Sequence, residues 1–312
     1  MNRTIDDIKS VSLKSSIKVL IITCAYLTMM AVFTGLNTTH WILAAFFNIM
    51  YFLNSSTRKT ILAFSIFIVF AIIYDVMRAY PNYLVNEVDI KGIYNFEKHL
   101  FGIISDNQLL TINEYFNIHN NVILDFICGM FYINWISVPI GFAIYLYIKN
   151  KNLFINFSLT FLFVNILGFC IYYIHPAAPP WYVAHYGFEL KMNIPGSTAG
   201  LSRFDDLIHL PLFASIYTKN SNVFASIPSL HSAYPIVVLY FVLKSNIGWG
   251  KWLFGLFMAG IWFTAVYTGH HYVTDVILGI LCALTGISLY QLLLKKSRWC
   301  KTQIKSYTQL IS

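Results

Sequence analysis

The chain has 312 residues, of which 57% are hydrophobic and only 11% charged. A soluble domain carries about 25% charged residues, so a water-soluble globule is excluded and an integral membrane protein is expected. The net charge of +8 does not mark a nucleic-acid binder, because Lys and Arg fall mainly in short clusters between apolar runs, the pattern of cytoplasmic loops.

In chain order, apolar runs at about 17–36, 39–54, 60–77, 122–148, 153–174, 228–244, 252–268 and 273–294 predict eight spans and an all-α polytopic membrane helical bundle. The first run has no small-residue cleavage site and is followed by further spans, so a removable leader is not expected. The second run is short and is bounded by Asn37 and Asn54. Lys9, Lys14 and Lys18 precede the first span, and Arg58 and Lys59 separate the second from the third. Lys149 and Lys151 separate the fourth and fifth, Lys244 and Lys251 the sixth and seventh, and Lys295, Lys296, Arg298 and Lys301 follow the eighth. Eight spans put all of them on one side, the cytoplasmic one, together with both termini.

The outer side then receives two long segments, roughly 79–121 and 175–227. The first carries Phe96, Leu100, Phe101, Ile104, Leu109 and Leu110 and reads as amphipathic helix along the outer interface. The second is rich in Pro, Gly and aromatics, and a loop of that length is expected to be functional. The expected organisation is 1–121 for the N-terminal spans plus the outer segment, 122–296 for a catalytic core and 297–312 for a basic cytoplasmic tail. Cys24, Cys128, Cys170, Cys282 and Cys300 are scattered with no CxxC pair, so neither a disulfide framework nor a cysteine metal site is expected.

Two histidine segments lie where loops meet apolar runs: Pro228-Ser229-Leu230-His231-Ser232 and Gly269-His270-His271-Tyr272-Val273-Thr274-Asp275. The eight-span topology puts His231, His271 and Asp275 on the outer side at similar depth, and ionisable groups at membrane depth are costly enough to mark a site. His271 and Asp275 stand at i and i+4 on one helix face. A carboxylate there accepts the proton of one imidazole nitrogen, which fixes the tautomer and leaves the other nitrogen as a nucleophile. His231, from another helix, can protonate a leaving oxygen and then deprotonate an incoming hydroxyl. Ser229 precedes its helix, where a hydroxyl and free amides suit phosphate oxygens. His270 points about 100° away and reads as a supporting or interfacial residue. These residues predict attack of histidine on a lipid phosphate. A His-rich metal site is the weaker reading, because its donors are few and split between two segments.

PSLHS followed by GHHYVTD resembles the second and third signature motifs of the type 2 phosphatidic acid phosphatase superfamily. The resemblance implies a six-helix core, here about 122–296, with His271 as nucleophile, Asp275 as its orienting partner and His231 as acid/base. It implies metal-independent, cofactor-free chemistry through a phosphohistidine. The superfamily's first motif, a Lys followed by Arg-Pro, is not found. Thr264-Ala265 stands where Ser-Arg usually precedes the third-motif histidine, so the usual cationic clamp on phosphate is missing. His175-Pro176-Ala177-Ala178-Pro179-Pro180-Trp181-Tyr182 and Gly200-Leu201-Ser202-Arg203-Phe204-Asp205, with the two histidine motifs after them, resemble the inositol phosphorylceramide synthase group over about 160–290. Members of that group move phosphoinositol from phosphatidylinositol to ceramide and release diacylglycerol. Transfer between lipid substrates is therefore expected here. Hydrolysis of a lipid phosphate or pyrophosphate is the alternative, and a transporter or scaffold that has kept the motifs is a third class.

Two arginines are candidates for the phosphate or headgroup. Arg203 lies on the outer loop, and Arg78 ends the third span on the outer side, against the positive-inside tendency. A guanidinium fork matches phosphate oxygens. The structural readings are an Arg203–Asp205/Asp206 pair and an Arg78–Asp75 pair. Trp181 and Tyr182 are candidates for walling the site from water or contacting the headgroup, against a plain interfacial aromatic belt. Asp125 opens the fourth span as either a helix-terminus charge or a headgroup contact. Richness in Lys, Asn, Ile and Phe fits an AT-rich bacterial genome, which would place the site at the periplasmic face of an inner membrane. In a eukaryote it would face the Golgi lumen.

Overall fold

The computed structural model describes residues 11–217 and 222–312; Lys9, counted above among the cytoplasmic basic residues, lies outside them. The chain is predominantly helical and divides into two compact units, Met1–Tyr80 with Lys301–Ser312, and Pro81–Cys300. The first unit holds α1 (Leu13–Phe33), α2 (Thr38–Leu53) and α3 (Ser55–Ala79). The two asparagines that bound the short second run start these helices. Asn37 accepts from the amides of Thr39 and His40, and Asn54 from that of Thr57, which satisfies amides that have no partner within the helix. Asp75 ties α2 to α3 by lying 2.8 Å from His40 Nε2.

The second unit opens with α4 (Lys91–Phe101), a hairpin of β1 (Ile103–Ser105) and β2 (Gln108–Leu110), and α5 (Ile112–Ile118). The outer segment is thus not one amphipathic helix. Asp106 and Asn107 adopt left-handed backbone (φ 50 and 61), which short polar side chains tolerate, and the chain reverses there. From Pro81 onwards this segment groups with the second unit rather than with the N-terminal helices.

The expected fourth span is two helices, α6 (Val122–Tyr132) and α7 (Asn134–Lys149), meeting at Ile133. Then follow α8 (Lys151–Ile174), three short helices, α9 (Pro180–Tyr186), α10 (Ser202–Ile208) and α11 (Leu212–Tyr217), and the longer helices α12 (Leu230–Lys244), α13 (Gly250–Tyr267) and α14 (Val273–Lys296). The chain closes with α15 (Arg298–Ile311). Within the first unit, Tyr307 of α15 donates its hydroxyl to Leu62 O at 2.5 Å. Five stretches of the described residues are long and apolar enough to span a membrane: Leu13–Phe33, Ser55–Ala79, Val122–Lys149, Lys151–Ile174 and Val273–Lys296. Thr38–Leu53 and Leu230–Lys244 are shorter apolar helices.

α12 packs against α8, α13 and α14. Val237, Val238 and Phe241 are buried, as a helix apolar on every side must be. The short helices are seated on this bundle by aromatic contacts. Phe204 of α10 lies on Gly129 of α6 so closely that a Cβ there would fall 2.0 Å from its ring. That contact fixes the neighbouring Arg203 beside α6.

Candidate active site

Two backbone features bring the histidine segments together. α13 ends at Tyr267, and Gly269 (φ +73) turns the chain so that the amides of His270 and His271 both donate to Ala265 O, at 3.1 and 3.0 Å. Across the site, Ser229 caps α12 by accepting from Ser232 N at 3.3 Å, and its own amide donates to Asp275 O at 3.0 Å. This approach requires Gly279, where a Cβ would sit 2.2 Å from Ser229 O.

The result is a linear arrangement of ionisable groups. His231 Nδ1 is 3.1 Å from His271 Nε2, and His271 Nδ1 is 3.3 Å from Asp275 Oδ2. The same carboxylate oxygen accepts from Ser226 Oγ at 2.5 Å and from Tyr272 N at 3.0 Å. With its proton held on Nδ1 by the carboxylate, the His271 ring presents an unprotonated Nε2 to His231. Burial pushes the His271 imidazole down to about 4, opposed by a hydrogen bond to the Ser226 backbone, so the ring is neutral at physiological pH. Trp135 and Tyr132 pack against the His231 ring at 4.6 and 5.3 Å between centroids.

Three supporting side chains were not singled out from the sequence. Glu97 of α4, fully buried, accepts from Val273 N at 2.9 Å, Thr274 N at 3.0 Å and Thr274 Oγ1 at 2.7 Å. It thereby caps the helix that carries Asp275. Burial raises its carboxyl pKa above the usual carboxylate range, with these bonds opposing. Asn113 Nδ2 donates to Val266 O at 2.7 Å and His271 O at 2.9 Å, clamping the turn. Ser226 holds Asp275. The capping box of Thr111 and Glu114 marks the start of α5, but Asn113 within it, like Glu97 and Ser226, carried no sequence signal of its own.

Of the expected site residues, His231, His271, Asp275 and Ser229 converge. His270 is buried beside them with Nδ1 3.0 Å from Thr268 Oγ1. Arg203 donates Nε to Asp125 Oδ1 at 2.7 Å, and Tyr267 donates to the same oxygen at 2.9 Å. Asp125 is therefore the partner of Arg203. Asp205, with Asp206 the alternative partner for Arg203, accepts instead from the amides of Phe213 and Ala214. Arg203 Nη2 is buried with no partner among the described residues. Its guanidinium lies over Gly200, whose amide donates to Thr268 O at 2.7 Å, next to the histidine turn. Arg203 and Trp181 line a cavity of about 370 Å³ bounded by Thr268, Gly269 and Tyr272.

Tyr182 does not join them. Its hydroxyl donates to Glu189 O at 2.6 Å and accepts from Lys191 N at 2.7 Å, and its ring packs with Ile90, Ala178 and Phe224, so it stiffens the loop from within. Arg78 belongs to the first unit and is paired there with Asp75 at 2.7 Å. Among the described residues, no group of three or more His, Cys, Asp or Glu is placed to hold a metal ion.

Residues 106–289 match the PAP2 superfamily. The chain belongs to this family. It is 45% identical over 305 residues to the phosphoinositol dihydroceramide synthase of Bacteroides thetaiotaomicron, an alignment that covers 96% of this chain and 99% of that one. It is 32% identical over 165 residues to the inositol phosphorylceramide synthase of Candida albicans, covering 48% of this chain and 33% of the relative. Identity to the catalytic subunit of the Saccharomyces cerevisiae inositol phosphorylceramide synthase is 30% over 118 residues, 38% of this chain and 29% of that one. No solved structure matches. Within the superfamily the chain falls in the inositol phosphorylceramide synthase group and is a phosphosphingolipid synthase-like transferase.

Proposed function

We propose that this protein transfers phosphoinositol, or a closely similar phospho-headgroup, from a glycerophospholipid to the hydroxyl of a ceramide, at the outer face of an eight-span bundle with cytoplasmic termini. The observation that carries the reading is the contact of His231 Nδ1 with His271 Nε2 at 3.1 Å, with Asp275 behind the second ring. In the first step His271 Nε2 attacks phosphorus, the bond from phosphorus to the glycerolipid oxygen breaks, and His231, entering the step as imidazolium, gives that oxygen a proton and is left neutral, releasing diacylglycerol. In the second step the ceramide hydroxyl attacks, its proton passes to His231, and the phosphorus–nitrogen bond breaks. The two rings are one hydrogen bond apart, so they must separate to admit the phosphate. Arg203, with Nη2 unpaired and buried, supplies the cationic contact for phosphate oxygens. Ser229 holds the start of α12 and so sets the position of His231.

The test supplies purified protein with fluorescent ceramide and phosphatidylinositol, and follows charged ceramide product and free phosphate in parallel. His271→Ala should abolish product. Asp275→Asn, which holds the wrong tautomer, should slow transfer by about 10⁴-fold, as loss of the orienting carboxylate does in serine proteases. Phosphate release from a monoester or pyrophosphate lipid with no ceramide product would make the protein a hydrolase instead.

A further inference from the structure

The cavity beside the histidine turn is polar in a way that transfer chemistry alone does not demand. Its floor is the backbone on either side of His271: Thr268, Gly269 and Tyr272. Its walls hold Thr111, Glu114, Asn117 and His185 as polar groups and Trp181 and Tyr94 as rings. The side chains of Asn117 and His185 are exposed in it and make no hydrogen bond among the described residues. Glu114 is held in place, with Oε1 accepting from Tyr94 at 2.8 Å and Oε2 from Thr111 N at 2.7 Å, and each oxygen keeps a second lone pair. Fixed acceptors, a free amide and flat rings are the complement of a ring of hydroxyl groups. Another cavity of this unit is lined mostly by apolar residues of α6, α7 and α13, chiefly Phe, Leu, Ile and Met, and suits acyl chains. A volume of about 370 Å³ falls in the small-molecule range of about 300–1,000 Å³.

We propose that this chamber is the subsite for the polyol ring of the donor headgroup, with Glu114 and Asn117 hydrogen-bonding ring hydroxyls and Trp181 covering one ring face. The assignment rests on the phosphoinositol-transfer reading. A phosphate held between His271 and Arg203 carries its headgroup oxygen towards the chamber, because Arg203 lines it and His271 stands in the turn between Gly269 and Tyr272, which bound it. Arg203 is already neutralised by Asp125, so the chamber suits an uncharged headgroup.

The experiment measures donor KM and kcat for phosphatidylinositol in full-length wild type, Glu114→Gln and Asn117→Ala, at saturating ceramide. Asn117 is exposed, and Gln keeps one acceptor oxygen at position 114, so both variants should fold; a Tm within about 2 °C of wild type verifies this. Each variant should raise donor KM about tenfold, the loss of one hydrogen bond, with ceramide KM unchanged. Glycerophosphoinositol, the deacylated diester form of the donor, should inhibit wild type competitively against the donor, and its inhibition constant should rise by a similar factor in both variants. Transfer by wild type with unchanged donor KM and unchanged inhibition in the variants would overturn the chamber assignment and leave the transfer reading intact. No ceramide product from wild type would overturn the transfer reading, and the polyol assignment with it.

Discussion

Gly279→Ala tests whether the approach of α14 to α12 sets the distance between the two histidines. A methyl group at 279 would lie 2.2 Å from Ser229 O, 3.0 Å from Ser229 C and 3.2 Å from Ser232 Cβ. Ordinary contacts begin at 3.4 Å, and the nearest obstacle is backbone that cannot rotate aside, so the helices must part by about 1 Å. His231 stands two residues beyond Ser229, and His271 is held to α14 through Asp275, so their 3.1 Å separation widens with the helices. Misplacement of reacting groups by about 1 Å costs about 100-fold in rate, or roughly 2.7 kcal/mol of barrier. Stability changes less, because overpacking costs about 1–3 kcal/mol while Ala in a helix gains about 1 kcal/mol over Gly.

The assay is ceramide transfer beside thermal unfolding, with two comparison substitutions. Gly255→Ala in α13 meets nothing within 4 Å, so its Tm should rise with transfer unchanged. Gly286→Ala meets Val164 Cγ2 at 2.6 Å, a side-chain end that can rotate, so its loss should be intermediate. A wild-type rate in Gly279→Ala, with a rise in Tm like that of Gly255→Ala, would refute the idea that this contact sets the catalytic distance.

Two further outcomes are expected. Donor kcat/KM should rise as pH falls from neutrality, through protonation of His231 as the general acid, and drop towards about pH 4, where His271 protonates and Nε2 loses its lone pair. Since its folded pKa lies below its unfolded one, the stability this histidine contributes is complete above pH 6.5 and is lost as pH falls towards about 4; an acid limb centred at 6.5 would contradict the buried neutral ring. Glu97→Gln replaces one acceptor oxygen facing the first amides of α14 with an NH₂ group and removes a negative charge from that helix N-terminus. Stability should fall by about 1–3 kcal/mol and kcat should fall while donor KM holds. Unaltered Tm and kcat together would remove Glu97 from the support of Asp275.

The histidine site was legible because its signal is local. Ionisable residues stand out against apolar sequence, and the i, i+4 spacing of His271 and Asp275 fixes their shared face without knowledge of the fold. What escaped depends on contacts between distant segments. Glu97 meets Thr274 across 177 residues, and Asp125 meets Arg203 across 78. Composition cannot tell which of several acidic residues an arginine will choose, so Asp205, near in sequence, looked the better partner for Arg203. Trp181 and Tyr182 show the same limit on a smaller scale. They are adjacent aromatics in one motif, and only the turn of α9 sends one to the cavity and the other into the loop core. The outer segment read as helix because its apolar residues recur, and the two left-handed residues at 106–107 were the contrary signal.

The charge around the cavity bears on which phosphates the site suits. A phosphate monoester carries about −1.5 to −2 charges at neutral pH, whereas a diester carries a single charge. Arg203 is the one guanidinium lining the chamber among the described residues, and Asp125 at 2.7 Å already balances most of its charge. The superfamily's Lys and Arg positions outside this loop are not filled in the chain. A dianion drawn from water into so weakly cationic a site would lose more hydration than the site returns, and this penalty rises steeply with charge. A diester loses less, and it brings a headgroup that the chamber can hold. The loops that carry Trp181 and Gly200 close on the histidine turn, with Trp181 N bonded to Gly269 O and Gly200 N to Thr268 O. On the proposed mechanism, this packing would protect a phosphohistidine that still carries its headgroup from water until a lipid alcohol arrives. On these grounds the pairing of Arg203 with Asp125 selects against phosphatase chemistry. Asp125→Asn should therefore shift the protein towards monoester hydrolysis, and an Asp125→Asn protein with no gain in phosphate release would break the link between that pair and the choice of reaction.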